Sequence, residues 1–287
     1  MNAALAIDIG GTKMAAAVVD PAGGQSRRVQ QETPHSANGE VLFDALTSLI
    51  RPLVSEEIAV VGVGCGGPMS PHGELVSPLN IPGWRRFPLR RRLADLTGVP
   101  VFVDNDAKAL ALGEGWLGAA AGIDDFIAMV VSTGVGGGIV LNGRLLDGEG
   151  GNAGHIGHVI VVPGGRQCAC GARGCLEAEA SGLSIAAITG RPASSATPEV
   201  VERTGLLVGR AVASVANLLD LRLAVVAGSV ALGFGPPFFA AAQAELARSA
   251  RLEFSWGARI VPAGLGDLGP LVGAAAVGFR GLGSTVG

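Results

Sequence analysis

Two stretches of the chain follow one plan. LAIDIGGTKMAAAVV (residues 5–19) and IAMVVSTGVGGGIVL (residues 127–141) each run from an apolar strand through a polar residue and glycines into a second apolar strand. Short apolar runs hinged on glycine predict a β-hairpin. The same unit, once in each half, predicts two similarly built domains, each with its glycine turn at the end of a sheet. Glycine-turn hairpins are common, so the repeat by itself also fits two unrelated hairpins.

The remaining pattern sets the fold class. A third strand is predicted at RRVQQET, a helix over residues 39–53, then strands at IAVVGVGCG, VFVDN, FIAMVVS and GIVLNG. Helical patterns follow at 105–119, 174–188 and 198–220, with a strand at LAVVAGS and a last helix near 270–281. Strands alternating with helices predict an α/β protein with sheets covered on both faces. At 287 residues the chain can bury one large core or two ordinary ones.

A formal charge of −3 gives no electrostatic reason to expect a nucleic-acid or anionic-membrane partner. No apolar run reaches the ~18 residues of a membrane span, and MNAALAIDIGGTK lacks a basic leader region and cleavage site. A soluble cytoplasmic protein is the expectation. In a reducing compartment, clustered cysteines point to metal or redox chemistry before a disulfide framework. Cys65 stands apart in an apolar run and reads as a small buried hydrophobe. Lys13 and Lys108 are the only lysines.

Glycines let main-chain amides crowd around an anion with no Cβ in the way. DIGGTK adds a carboxylate able to hold a metal ion, a hydroxyl and an ammonium. It lacks the spacing of a P-loop, and a strand follows it rather than a helix. GVGCGG at 62–67 matches a dinucleotide fingerprint on paper, but Pro68 and Pro71 follow where that fold needs a helix. VFVDNDAKALALGEG offers Asp104 and Asp106 where a strand turns into a helix; either could cap the helix, and either could act as a base. For Asp104 the cap is the expected role.

GNAGHIGHVIVVPGGRQCACGARGCLE (151–177) spaces His158, Cys168, Cys170 and Cys175 as H-x₉-C-x-C-x₄-C. One imidazole and three thiolates form the shell that suits a structural Zn²⁺, closed to water. A disulfide or a chance cluster is the alternative. His35 and His72, in polar proline-flanked loops, are expected at the surface.

DIGGTK and STGVGGG in this order, with NIPGW at 80–84, VDNDAKALALGE at 103–114 and VVAGSV at 225–230, resemble the ROK family of sugar kinases over essentially the whole chain. The resemblance implies a two-domain actin-like ATPase of the hexokinase and Hsp70 superfamily, with ribonuclease H-like domains, an interdomain cleft and a zinc-bearing loop. Its domains would span 1–106, joined by a C-terminal helix at 268–287, and 107–267, with the zinc loop at 155–177. It implies ATP and Mg²⁺, with Asp8, Gly10, Gly11, Thr12 and Lys13 in the first phosphate turn. Thr133 and Gly134 open the second, and Gly228 lies by the adenosine, where relatives more often show a double glycine and this chain has Ala227.

For the acceptor, the resemblance makes Asp106 the catalytic base and places Gly67, Asn80, Asn105, His155, His158 and Glu177 at the sugar. Family glucokinases carry glutamate where this chain has His155, whereas N-acetylmannosamine kinases of the family share the wording AGHIGH. A neutral imidazole offers one donor and one acceptor where a carboxylate accepts twice. The exchange implies a sugar with an N-acetyl group at C2, with glucose the alternative. Family regulators add a DNA-binding module in front, for which a strand starting near residue 3 is expected to leave no room. A homodimer is implied by the family alone.

Overall fold

The computed structural model describes residues 3–284. Two compact units divide the chain. The first takes the residues up to Ala121, the short segment Asp147–Ala153 and those from Leu265 on; the second takes Gly122–Leu146 and Gly154–Gly264.

In the first unit β1 (Ala3–Ile9), β2 (Lys13–Val19), β3 (Gln25–Glu32), β4 (Ile58–Cys65) and β5 (Val101–Asn105) form one sheet in the order β3-β2-β1-β4-β5. The first three are antiparallel neighbours, while β1, β4 and β5 run parallel. Alternation along β1 separates the two faces. Leu5, Ile7 and Ile9 join a bulky core with Leu42 and Leu46 of α1 (Gly39–Ile50), Leu89 and Leu93 of α2 (Leu89–Thr97), and the fully buried Trp84. Helix α1 starts where the Asn38 side chain accepts a bond from Glu40 N at 2.9 Å. Ala4 and Ala6 face the other way, onto α9 (Gly269–Gly281). There the approach is backbone to backbone: a Cβ on Gly62 would run into Ala274 O and stand 2.7 Å from Gly278 N. Helix α3 (Asp106–Leu117) also packs on α9.

The second unit repeats the plan. β6 (Phe126–Val131), β7 (Val135–Leu141), β8 (Arg144–Leu145), β9 (Leu223–Ala227) and β10 (Arg259–Pro262) order as β10-β9-β6-β7-β8. Hairpin β6-β7 is antiparallel, and β6, β9 and β10 are parallel. Read from the other edge, this is the order of the first sheet. Five helices complete the unit: α4 (Leu176–Ala180), α5 (Gly182–Thr189), α6 (Pro198–Leu219), α7 (Ser229–Phe234) and α8 (Pro236–Ser249). Helices α6 and α8 touch through Gly205 and Gly209, against Phe238 O and Ala242 O.

Three details differ from the expected pattern. The helix at 174–188 breaks at Ser181, which is extended and caps α5 by accepting from Ser184 N at 3.1 Å. Gly136, Gly137 and Gly138 belong to β7 and not to the turn, paired with Val130, Met129 and Ala128. Their smallness serves packing: a Cβ on Gly137 would stand 3.0 Å from Ile156 Cγ2 and 3.1 Å from Gly154 O. Helices α2, α7 and α8 and strand β10 carried no sequence expectation.

Candidate active site

The parallel strands of the first sheet end together, and chemistry gathers at their carboxyl ends. Asp8, Gly64 and Asp104 lie abreast on β1, β4 and β5, followed by the row Ile9, Cys65 and Asn105. Asn105 is the N-cap of α3, its Oδ1 accepting from Ala107 N at 3.0 Å, and Asp106 opens the helix with its own Oδ1 2.9 Å from the same amide. Gly64 leaves room between them, since a Cβ there would stand 3.7 Å from both Asp8 Oδ1 and Asp106 Cα. Burial, then the charge of Asp106, push the Asp8 carboxyl up to about 7, with Lys13 pulling the other way. Two neighbouring carboxylates that cannot both ionise freely are the usual basis for separate acid and base roles.

The DIGGTK turn is tied from within and from β3. Gly10 N donates to Lys13 O at 2.9 Å, and Thr33 Oγ1 donates to Gly10 O at 2.7 Å. Asn80 packs onto it so closely that a Cβ on Gly11 would stand 2.7 Å from Asn80 Cβ. Gly67 lies beside Asn105, where a Cβ would come within 3.3 Å of Nδ2. One end of the first unit therefore brings together Asp8, the turn, Gly67, Asn80, Asn105 and Asp106. A small cavity borders the turn, lined by Gly11, Thr33, His35 and Asn80 among others. The sequence had assigned His35 only to the surface.

Asp104 is not the helix cap; Asn105 holds that place. Asp104 instead pairs with Lys108, whose side chain is 3% exposed. The Lys108 ammonium reaches Asp104 Oδ1 at 2.9 Å, Asp147 Oδ1 at 2.7 Å and Gly151 O at 3.1 Å, which uses its three donors. Arg280 adds a bond to Asp147 Oδ2 at 3.0 Å. Burial raises the Asp104 carboxyl against the pull of Lys108. Burial acts on Asp147 too, but the Lys108 and Arg280 bonds outweigh it and hold that carboxyl below its usual range. Only the i,i+4 spacing of Asp104 and Lys108 is visible in the sequence; the other members of this network lie up to 176 positions away by residue number.

In the second unit the turn between β6 and β7 is short. Ser132 N donates to Gly134 O at 2.9 Å, and the Ser132 and Ser229 hydroxyls are 2.9 Å apart, linking this turn to the start of α7. Gly228 has φ +101°, and a Cβ there would collide with Val131 main chain. Thr133 is exposed. Glu177, in the first turn of α4, accepts a bond from Val135 N through Oε2 at 3.0 Å. The same oxygen lies 2.8 Å from where a Gly134 Cβ would sit. His155 is exposed, and its ring centroid is 6.0 Å from that of His158.

The His158, Cys168, Cys170 and Cys175 ligand atoms all lie within 4.8 Å of one another. Cys168 Sγ is 3.7 Å from His158 Nδ1, and Cys170 Sγ is 3.7 Å from Cys175 Sγ. Zn–S and Zn–N bonds arranged tetrahedrally imply edges of about 3.5–3.8 Å, so the donor set and spacing fit a closed zinc site. With Nδ1 turned to the cluster, Nε2 is the ring's other polar atom. Burial, reinforced by the Cys170 and Cys168 thiols, pushes the Cys175 thiol up to about 12, which a divalent cation would reverse. The buried Glu179 steadies the loop, accepting from Arg166 N at 2.7 Å and pairing with Arg203 at 2.6 Å. No helix among the described residues is long and apolar enough to cross a membrane.

The ROK family model matches residues 4–278. An N-acetylmannosamine kinase of Escherichia fergusonii is 38% identical over 250 residues, covering 80% of this chain and 84% of that one. The ROK hexokinase of Thermus thermophilus superposes with a TM-score of 0.85 at 34% identity, covering 98% and 99% of the two chains. A ROK family glucokinase from Streptomyces griseus, solved with glucose and AMPPNP, gives 0.84 at 30% identity over 97% and 99%. The two α/β units are those of the actin-like ATPase fold shared by these kinases, and the chain belongs to the ROK family.

Proposed function

We propose that the chain transfers the γ-phosphoryl group of ATP to the 6-hydroxyl of N-acetylmannosamine. The observation that carries the kinase reading is the placement of Asp106 at the start of α3, beside the DIGGTK turn and Asp8. Asp106 accepts the proton of the attacking hydroxyl, and Asn105, Asn80 and the main chain at Gly67 orient the sugar. The amides and Lys13 of the first turn, with Thr133 and Gly134 of the second, receive the phosphates, and Gly228 borders the adenosine. Asp8 fits a Mg²⁺ role: a cation would favour the ionised form that burial and Asp106 now oppose. When bound, Mg²⁺ would neutralise charge on the transferring phosphoryl.

Substrate choice rests on the second unit. His155 in AGHIGH, His158 through Nε2, and Glu177 meet the sugar hydroxyls and the C2 substituent. The 38% identity to an N-acetylmannosamine kinase supports this choice, and similarity to a glucose-bound glucokinase supports glucose as the second reading. The zinc loop, held by His158, Cys168, Cys170 and Cys175, is structural in this reading. A cytoplasmic homodimer with no nucleic-acid partner completes it.

A coupled ADP-release assay with N-acetylmannosamine, glucose, N-acetylglucosamine and mannose tests it. N-acetylmannosamine should give the highest kcat/KM; a far higher value for glucose would replace the substrate, and no turnover with any of the four would end the kinase reading.

A further inference from the structure

We propose that Glu177 is a positioning residue that makes nucleotide binding depend on the sugar; this deepens the kinase reading and rests on it. One oxygen of its carboxylate is held at the second turn. Oε2 accepts the amide of Val135, the first residue after Gly134, at 3.0 Å. The same oxygen stands so near Gly134 that a Cβ there would come within 2.8 Å. Among the described residues no donor is paired with Oε1 in the hydrogen bonds of the site, and the side chain is half-buried.

Two consequences follow from charge. A turn whose amides are to receive phosphate already has one of them engaged by a carboxylate. That carboxylate also sets a negative charge beside the incoming phosphates, which is unfavourable in a partly desolvated site. Sugar hydroxyls donating to the carboxylate spread this charge and give Glu177 a second anchor. The sugar then raises affinity for the nucleotide at the turn, and by linkage the nucleotide raises affinity for the sugar by the same factor. ATP bound without sugar meets the charge unrelieved.

The position is fixed from behind. Leu176 N donates to Val159 O at 2.9 Å, and Cys175, just before it, is a fully buried member of the metal cluster. The carboxylate therefore reaches the turn from a short helix anchored at its first residues, with little freedom to swing aside.

Titration calorimetry of the zinc-loaded full chain with AMPPNP, with and without a saturating concentration of the sugar selected by the four-sugar assay, reads the coupling factor directly. The wild-type protein should bind AMPPNP at least fivefold more tightly with sugar present. Glu177→Gln keeps an acceptor for Val135 N and removes the charge; it should bind AMPPNP more tightly without sugar and bring the coupling factor close to one. Gly134→Ala, which displaces the carboxylate without altering it, should also lower the factor and serves if the first variant fails to fold. A wild-type enzyme that phosphorylates sugar without coupling, or a Glu177→Gln protein with wild-type coupling, overturns the proposal and leaves the kinase reading standing. Absence of turnover with every sugar overturns both.

Discussion

The two glycine turns stand on equivalent hairpins and are furnished in opposite ways. Turn β1-β2 carries two charges in its own sequence, Asp8 near the strand end and Lys13 at the start of the next, with Asp106 of α3 alongside. Turn β6-β7 carries hydroxyls and glycine, and borrows its one carboxylate from Glu177, 42 positions further on. The sheet order is kept, while the first turn holds charges of its own and the second, of Ser132, Thr133 and Gly134, holds none. A duplicated scaffold thus conserves backbone register, which hydrogen bonding enforces, and leaves the turn residues to specialise.

The largest effect that would test this contrast lies on the first side. Asp106→Asn should lower kcat by about 10²–10⁴-fold while sugar affinity, read by calorimetry, stays near wild type. A variant with most of its activity would remove the base from the first unit. On the second side, metal analysis should find about one zinc per chain, and chelation should lower the melting temperature by about 10 °C, since each kcal/mol shifts a chain of this size by roughly 2–4 °C. Hydrogen exchange should then rise at Val135 and across the metal loop while amides of β1 and β2 keep their protection. Equal loosening of both hairpins would show that the turns do not differ in anchorage.

The smallest effect concerns Asp8. Its folded value of about 7 lies above its ordinary 3.8, so the folded protein holds that proton more tightly than the unfolded chain does. Stability therefore falls as pH rises from about 4 through 7 and is level beyond. Asp8→Asn carries no such penalty: in metal-free buffer it should melt several degrees higher than wild type at pH 8 and at the same temperature at pH 4, with activity lost. A gain of equal size at both pH values would place its cause outside this carboxyl.

Much of this was legible in the sequence because it is encoded locally. The hairpin repeat, the zinc spacing and the Asn105-Asp106 pair lie within runs of fewer than 30 residues, where strand alternation, ligand count and cap preference act directly. Three kinds of feature were not. Glycines 136–138 suggest a loop until their pairing with β6 is known, and at Gly137 the neighbours Ile156 and Gly154 leave little room for a Cβ. Helix α8 opens on Pro236 and Pro237 and has only four buried residues, a weak periodic signal. Asp104 suggests a cap because its claim by Lys108, four positions on, is completed by Asp147, which meets the pair only in three dimensions. The resemblance implies a sugar role for Glu177, but its bond to Val135 belongs to no motif.

Lys108 has a further consequence, for the order in which the protein can be completed. Two of the three acceptors on its ammonium, Asp147 and the carbonyl of Gly151, come from a seven-residue segment that interrupts the second unit's sequence. Helix α9, which covers the alanine face of the first sheet, is made later still. A nascent chain emerging in sequence order therefore holds a first unit with an incompletely paired ammonium and one bare sheet face until α9 has been made. The first sheet waits for α9, and a fragment ending near residue 121 should not fold as an independent domain.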